Sequence, residues 1–222
     1  MMSFVIQAGG SSGGFTPVPP GMHLARCYRI VDLGTQQSEY MGVTKNLPKL
    51  MMQWEVHGED DAGNLLVTSK GEPMTISKNY TVSLSENATL RKDLATWRGR
   101  DFTSDELKGF ELGNVLGHWA MISVSQSIGN NGKEYTNINT INPVPANIKK
   151  RGLPEAYNKN QMFVLNDPDM AIWETFSDGL KAKIEKSPEW QSRRVTHAPQ
   201  ASAAPVVKPA VQYDDLEDDL PF

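Results

Sequence analysis

The sequence predicts a mainly-β fold: a five-stranded barrel in the order β-β-β-α-β-β, an accessory C-terminal helix and a disordered acidic tail. Three observations lead there. Residues 50–56 alternate, with Leu50, Met52, Trp54 and Val56 on one face and Met51, Gln53 and Glu55 on the other, as a strand covered on one side does. Residues 88–98 switch to helical spacing, which puts Leu90, Leu94 and Trp97 on one stripe. Residues 119–124 and 134–141 return to strand character. They are joined through Gly129-Asn130-Asn131-Gly132, a composition that favours a tight hairpin.

Along the chain, residues 1–21 form a flexible lead-in. The short apolar run Phe4-Val5-Ile6 passes into Gly9-Gly10-Ser11-Ser12-Gly13-Gly14, then Pro17, Pro19 and Pro20. No Gly-Lys-Ser/Thr ending follows those glycines, so a phosphate-cradling loop is not expected. Residues 22–31 are rich in strand formers, and 58–63, with Asp60-Asp61, read as a turn. The extended pieces 65–69 and 74–84 come next. In the latter, Met74, Ile76, Lys78, Tyr80, Val82 and Leu84 alternate with the small polar Thr75, Ser77, Asn79, Thr81 and Ser83. A short helical turn is expected at residues 104–107. Three strands, a helix and two strands is the order of the OB-fold, a Greek-key barrel that binds oligonucleotides on one face and between its loops. The expected body is residues 22–148.

Past Pro143 the strand pattern ends. Residues 149–190 form the accessory segment, opening with the surface cluster Lys149-Lys150-Arg151. Asp167-Pro168-Asp169 supplies a cap and an early proline for a helix. Its stripe of Ile172, Trp173, Phe176, Leu180 and Ile184 runs to Ser187-Pro188. That stripe is expected to pack on the barrel, with partner binding or self-association into a homo-oligomer as the alternative. Residues 191–212, rich in Ala, Pro, Val, Gln and Ser, read as a disordered linker, and 213–222 as a separate tip.

Composition narrows the chemistry. The single cysteine, Cys27, excludes an intramolecular disulfide and a cysteine-based zinc site. Between Ala25 and Ile30 it reads as a buried strand residue in a reducing cytosol. No membrane-spanning run and no secretion signal are expected, so the expected location is cytoplasmic. The four histidines have no metal-ligand spacing, and His-Glu-x-x-His, Gly-x-Ser-x-Gly and Walker patterns do not occur. No catalytic residue, metal or cofactor is therefore assigned. Carboxylates brought together only by the fold keep a metal-dependent nuclease as a competing reading. The net charge of −4 is unevenly spread: five acids lie in the last nine residues, and the rest of the chain holds 22 basic against 21 acidic residues.

Binding a single strand needs cations for phosphates and aromatic faces for bases. The cationic pool is Lys45, Lys49, Lys70, Lys78, Arg91, Lys92, Arg98, Arg100 and Lys133; the aromatic pool is Tyr28, Tyr40, Trp54, Tyr80, Trp119 and Tyr135. Trp54 and Trp97 read as core, and Tyr80 reads either way. Arg26 and Tyr28 share the face opposite Ala25 and Cys27, and Tyr135 alternates with Asn137 and Asn139 away from Ile138. The candidate DNA-binding set is Arg26, Tyr28, Lys70, Lys78, Tyr80, Arg91, Lys92, Arg98, Arg100, Lys133 and Tyr135.

The chain ends Asp214-Asp215-Leu216-Glu217-Asp218-Asp219-Leu220-Pro221-Phe222. This acidic run cannot offset its own ordering entropy, yet it finishes on an aromatic ring beside a free carboxylate. Asp218-Asp219-Leu220-Pro221-Phe222 resembles the acidic tip of bacterial single-stranded DNA-binding proteins, where Asp-Asp-Asp-Ile-Pro-Phe recruits replication and repair enzymes; here Leu replaces Ile. The resemblance implies partner binding by Asp214, Asp215, Glu217, Asp218, Asp219, Leu220, Pro221 and Phe222. Leu90-Arg91-Lys92-Asp93-Leu94, Trp97-Arg98-Gly99-Arg100-Asp101-Phe102, Ser69-Lys70-Gly71 and Ile76-Ser77-Lys78-Asn79-Tyr80 also resemble small phage replication proteins with an OB-type domain, over about residues 15–145. Together these imply a phage-type protein that coats single-stranded DNA in replication, recombination or repair, in the bacterial host cytoplasm. A recruitment adaptor without DNA affinity and a strand-annealing protein are the alternatives.

Overall fold

The computed structural model describes residues 17–40, 42–129, 132 and 134–196. Strand β1 (Gly21–Tyr40) pairs antiparallel with β2 (Val43–His57), and β2 pairs with β3 (Met74–Thr81). Helix α1 (Thr89–Arg98), helix α2 (Ser104–Lys108) and a 3-10 turn (Leu112–Val115) lead to β4 (Trp119–Ile128) and β5 (Glu134–Pro143). The sheet order is β3-β2-β1-β4-β5. The sequence places the five strands and the interposed helix in this order; the path of paired strands is not closed into a ring.

A sixth strand departs from expectation. β4 runs beside β1 only from Gly21 to Arg26, and β6 (Gln161–Phe163) then pairs parallel with Arg29–Val31. The chain from α3 (Ala146–Arg151) to β6 thereby crosses the outer face of the sheet. The β1–β2 hairpin is also longer than the sequence suggests. Residues 35–39 and 44–48 carry no apolar alternation, and they become strand through their cross-strand ladder, such as Gln36 with Leu47 and Ser38 with Lys45. Conversely, residues 65–69 form no strand, only the isolated bridges Glu59–Leu65 and Val67–Pro73. The Asp60 carboxylate instead organises that loop, accepting from the N–H groups of Ala62 and Asn64.

Two apolar cores lie on opposite faces of β1 and β2. The first gathers Cys27, Ile30, Met52, Trp54, Ile76, Tyr80, Leu90, Leu94, Ile122 and Ile141 under α1. Val18 belongs to it, so the packed chain begins before the expected boundary at residue 22. The second gathers Val31, Leu33, Met51, Phe163, Leu165, Trp173, Phe176, Ile184 and Trp190. The expected single C-terminal helix is three: α4 (Met170–Glu174), α5 (Asp178–Glu185) and α6 (Pro188–Thr196). Asp169, not Asp167, caps the first; Ser177 caps the second. Buried Ser187 ends the second by donating to the Ile184 carbonyl, and Pro188 starts the third. The breaks let Trp173 and Trp190 stack at 4.3 Å while both rings approach Phe163. Gly34 permits this docking. Its φ is +65°, and a Cβ there would lie 2.5 Å from the Ser187 Cβ. Helix α6 also takes residues 191–196 out of the expected linker, whose remainder lies outside the described residues. No helix among the described residues is long and apolar enough to cross a membrane.

Candidate nucleic-acid interface

Arg26 and Tyr28 do lie opposite Ala25 and Cys27, but that face is covered, which corrects their expected exposure. Arg26 Nη1 donates to the Asn158 carbonyl at 2.9 Å and lies 3.5 Å from Glu55 Oε1, while Nη2 meets Asn160 Oδ1. Glu55 is fully buried, pinned by the N–H groups of Tyr157 (3.2 Å) and Asn158 (2.7 Å) and by the Asn158 amide (2.7 Å). Burial alone would raise its pKa. Hydrogen bonds from His57, Asn158 and Tyr157 outweigh burial and hold it at about 2. Tyr28 is 4% exposed, and burial pushes its hydroxyl up to about 12. The physical reason is that alternation reports how each face of a strand is coloured, not what distant segment covers it. Here Tyr157, Asn158 and Asn160 cover Arg26 and Glu55 on the outer face.

Tyr80 resolves to core: it is 3% exposed, and its hydroxyl donates to Asp93 Oδ2 at 2.8 Å. The same oxygen takes the Lys78 ammonium at 2.7 Å. Arg91 forms a two-pronged contact with Asp101, at 3.2 and 2.9 Å. Arg98 and Arg100 converge on Glu106, which is also the third residue of a capping box with Thr103. Arg100, foremost, holds the Glu106 carboxyl at about 2. Arg26, Lys78, Arg91, Arg98 and Arg100 thus each have a carboxylate partner. The Arg91, Arg98 and Arg100 pairs tie the α1–α2 connection together, and all five reduce the positive charge offered to a phosphate.

Lys70 and Lys92 are exposed and, among the described residues, enter no ion pair. Tyr135 is 46% exposed on the β4–β5 ribbon. Lys133 and the whole tip, Asp214 to Phe222, lie outside the described residues. Of the expected set, then, Lys70 and Lys92 face solvent with no ion pair among the described residues, and Tyr135 is exposed. They lie on different elements: the loop before β3, α1 and β5.

The fold adds a polar strip. Thr75, Ser77, Asn79 and Thr81 alternate on the outer face of β3, away from Ile76 and Tyr80. Beside them on β2, Lys49 Nζ donates to Thr81 Oγ1 at 2.6 Å. Lys183 of α5 is brought near Lys49. Burial lowers its pKa, and the Lys49 charge lowers it further. Arg29 reaches Gln161, Gln53 and Thr175, tying β6 and the α4–α5 connection to this face. Lys49 stood in the cationic pool, but Lys183 and Arg29 did not. No local pattern could bring Lys183 to Lys49, since 133 intervening residues separate them by fold alone. Along the β4–β5 ribbon, Ser125 donates to Asn139 and Asn137 donates to Ser127, a hydrogen-bonded polar ladder.

Among the described residues no group of three or more His, Cys, Asp or Glu side chains is placed to hold a metal. No protein-family model matches the chain, and no curated protein matches it.

Proposed function

We propose that this chain is a phage-type single-stranded DNA-binding protein. An OB-fold body coats the strand during replication, recombination or repair, and the acidic tip recruits the enzymes that act on it. The observation that carries the reading is the strand order β3-β2-β1-β4-β5 with α1 between β3 and β4. That order supports an OB-fold whose β3–β5 closure is unpaired, and β3 and β5 do come into contact. The long β1–β2 and β4–β5 hairpins correspond to the two loops that flank an OB-fold ligand face. The polar strip of β3 and Lys49 lie along the β2–β3 pair. In this reading phosphates meet Lys49, Lys70, Lys92 and Lys183, and a base stacks on Tyr135. The tip sequence Asp218-Asp219-Leu220-Pro221-Phe222 adds the recruiting function through its likeness to bacterial tips.

One observation favours a second reading, an adaptor that works through its tip and has no strand affinity. Five of the expected cations are already occupied by carboxylates. A single titration separates the two. Oligo-dT added to the full chain should quench its intrinsic fluorescence saturably, with affinity falling steeply as salt rises. Tyr135→Ala should cost about 1–3 kcal/mol of binding, the range for one stacked base. No quenching in dilute buffer overturns DNA binding and leaves the adaptor.

A further inference from the structure

A cavity of about 370 Å³ lies where the C-terminus of α1, the segment after α2, the start of β4 and α3 meet. It is separate from the polar strip, because α1 packs into the first core and the strip lies on the opposite face of the sheet. Trp97, Phe110 and Trp119 supply aromatic surface, and Arg98, Arg100 and Lys149 oppose the single carboxylate of Glu106. That carboxylate is already spent. It accepts from Arg98, twice from Arg100 at 2.8 Å, and from the Thr103 N–H at 2.9 Å.

Arg98 is the informative residue. Its guanidinium lies 4.6 Å from the Phe102 ring centroid and 5.0 Å from that of Phe110, and its Nη2 is held by Glu106. Its Nη1 is buried and has no hydrogen-bond partner. A buried donor on a charged group is costly to leave unpaired. The cavity itself is lined by three cations against that one carboxylate, and this lining charge favours an anion. The aromatic lining favours a planar ring beside the anion.

We infer that this cavity binds one nucleotide, with the base against Trp119 and Phe110 and the phosphate on Arg98 and Lys149. The volume sits near the lower end of the ~300–1,000 Å³ of small-ligand pockets, room for one nucleotide and not for a run of them. The choice of a nucleotide among ring-bearing anions rests on the proposed function; the presence of a ring-and-anion site does not.

The test is calorimetric titration of the full chain with 5′-dTMP and 5′-dAMP, with inorganic phosphate and the peptide Asp-Asp-Leu-Pro-Phe as separate arms. A mononucleotide should bind with Kd below about 1 mM and at least about tenfold more tightly than phosphate. Arg98→Ala should weaken it about tenfold or more. Arg98 also braces α2, so Lys149→Glu, on an exposed position of α3, serves as the variant that leaves folding alone; it should weaken binding at least about threefold. No mononucleotide binding, phosphate binding equally well, or an unchanged Kd in K149E each overturns the inference. So does binding of the peptide in place of the nucleotides. Oligo-dT binding measured alongside keeps the two ideas apart. Retained oligo-dT binding without mononucleotide binding sinks only the cavity, and the reverse sinks only strand coating on the sheet.

Discussion

The two cores sit back to back on β1 and β2, and they are built by different rules. The first is local in pattern: alternating strands and one amphipathic helix close over Trp54 and Met52. The second is assembled from afar. Its contribution from β1 and β2 is Val31, Leu33 and Met51, and its remaining members come from residues 163–190. A bulge between Cys27 and Arg29 marks the change of side, with Cys27 in the first core and Val31 in the second. The lesson is one of dependence. The first core needs nothing from the C-terminal segment, whereas the second has no surface to form on until β1 and β2 are paired.

Phe163→Ala gives the largest effect that bears on this asymmetry. Phe163 is fully buried and contacts Trp173, Phe176 and Trp190. Removing the ring should cost about 3–5 kcal/mol. The expected outcome is loss of hydrogen-exchange protection in α4, α5 and α6 while β2, β3 and α1 stay protected. Equal loss of protection in both cores would show one cooperative unit and end the distinction.

The same asymmetry explains what could be read from the amino acids alone. Residues 50–56 and 88–98 were legible because each shows its buried face within a few residues, at a period of two or 3.6. The β4–β5 hairpin was legible from Gly129-Asn130-Asn131-Gly132. What could not be read depends on long-range contact. Arg26 looks solvent-facing because the residues that cover it, Asn158 and Asn160, lie far along the chain; Tyr28 beside it is buried as well. The cations at 91, 98 and 100 look available because their partners, Asp101 and Glu106, are chosen by the α1–α2 turn. Ser187 looks like a helix end, which it is, but not like the buried residue that meets Gly34.

The seam between the two regions offers a pH test. Glu55 anchors residues 157–158 to β2, and its pKa falls from 4.5 to about 2 on folding. A depressed carboxyl contributes stability that is complete above about pH 4.5 and is lost as pH falls toward 2. The full loss is about 3 kcal/mol as an order of magnitude. Residues 153–163 should therefore gain exchange and protease sensitivity in that window before β2 and β3 do. Glu55→Gln should show the weakened seam at neutral pH and flatten the acid dependence. Simultaneous acid loosening of strap and sheet would contradict a separable outer layer.

Tyr80→Phe makes the smallest change, and it sits wholly on the first core. The ring stays buried, and only the hydroxyl donated to Asp93 is removed. Lys78 keeps Asp93 paired at 2.7 Å, so no carboxylate is left stranded. The expected cost is about 1 kcal/mol, the net worth of one such hydrogen bond. Because the second core depends on the first, this small loss should appear in the stability of both, measured by denaturant unfolding followed separately at α1 and at α5. A shift confined to α1 would mean that the outer layer carries its own stability, and the direction of dependence drawn from β1 and β2 would be wrong.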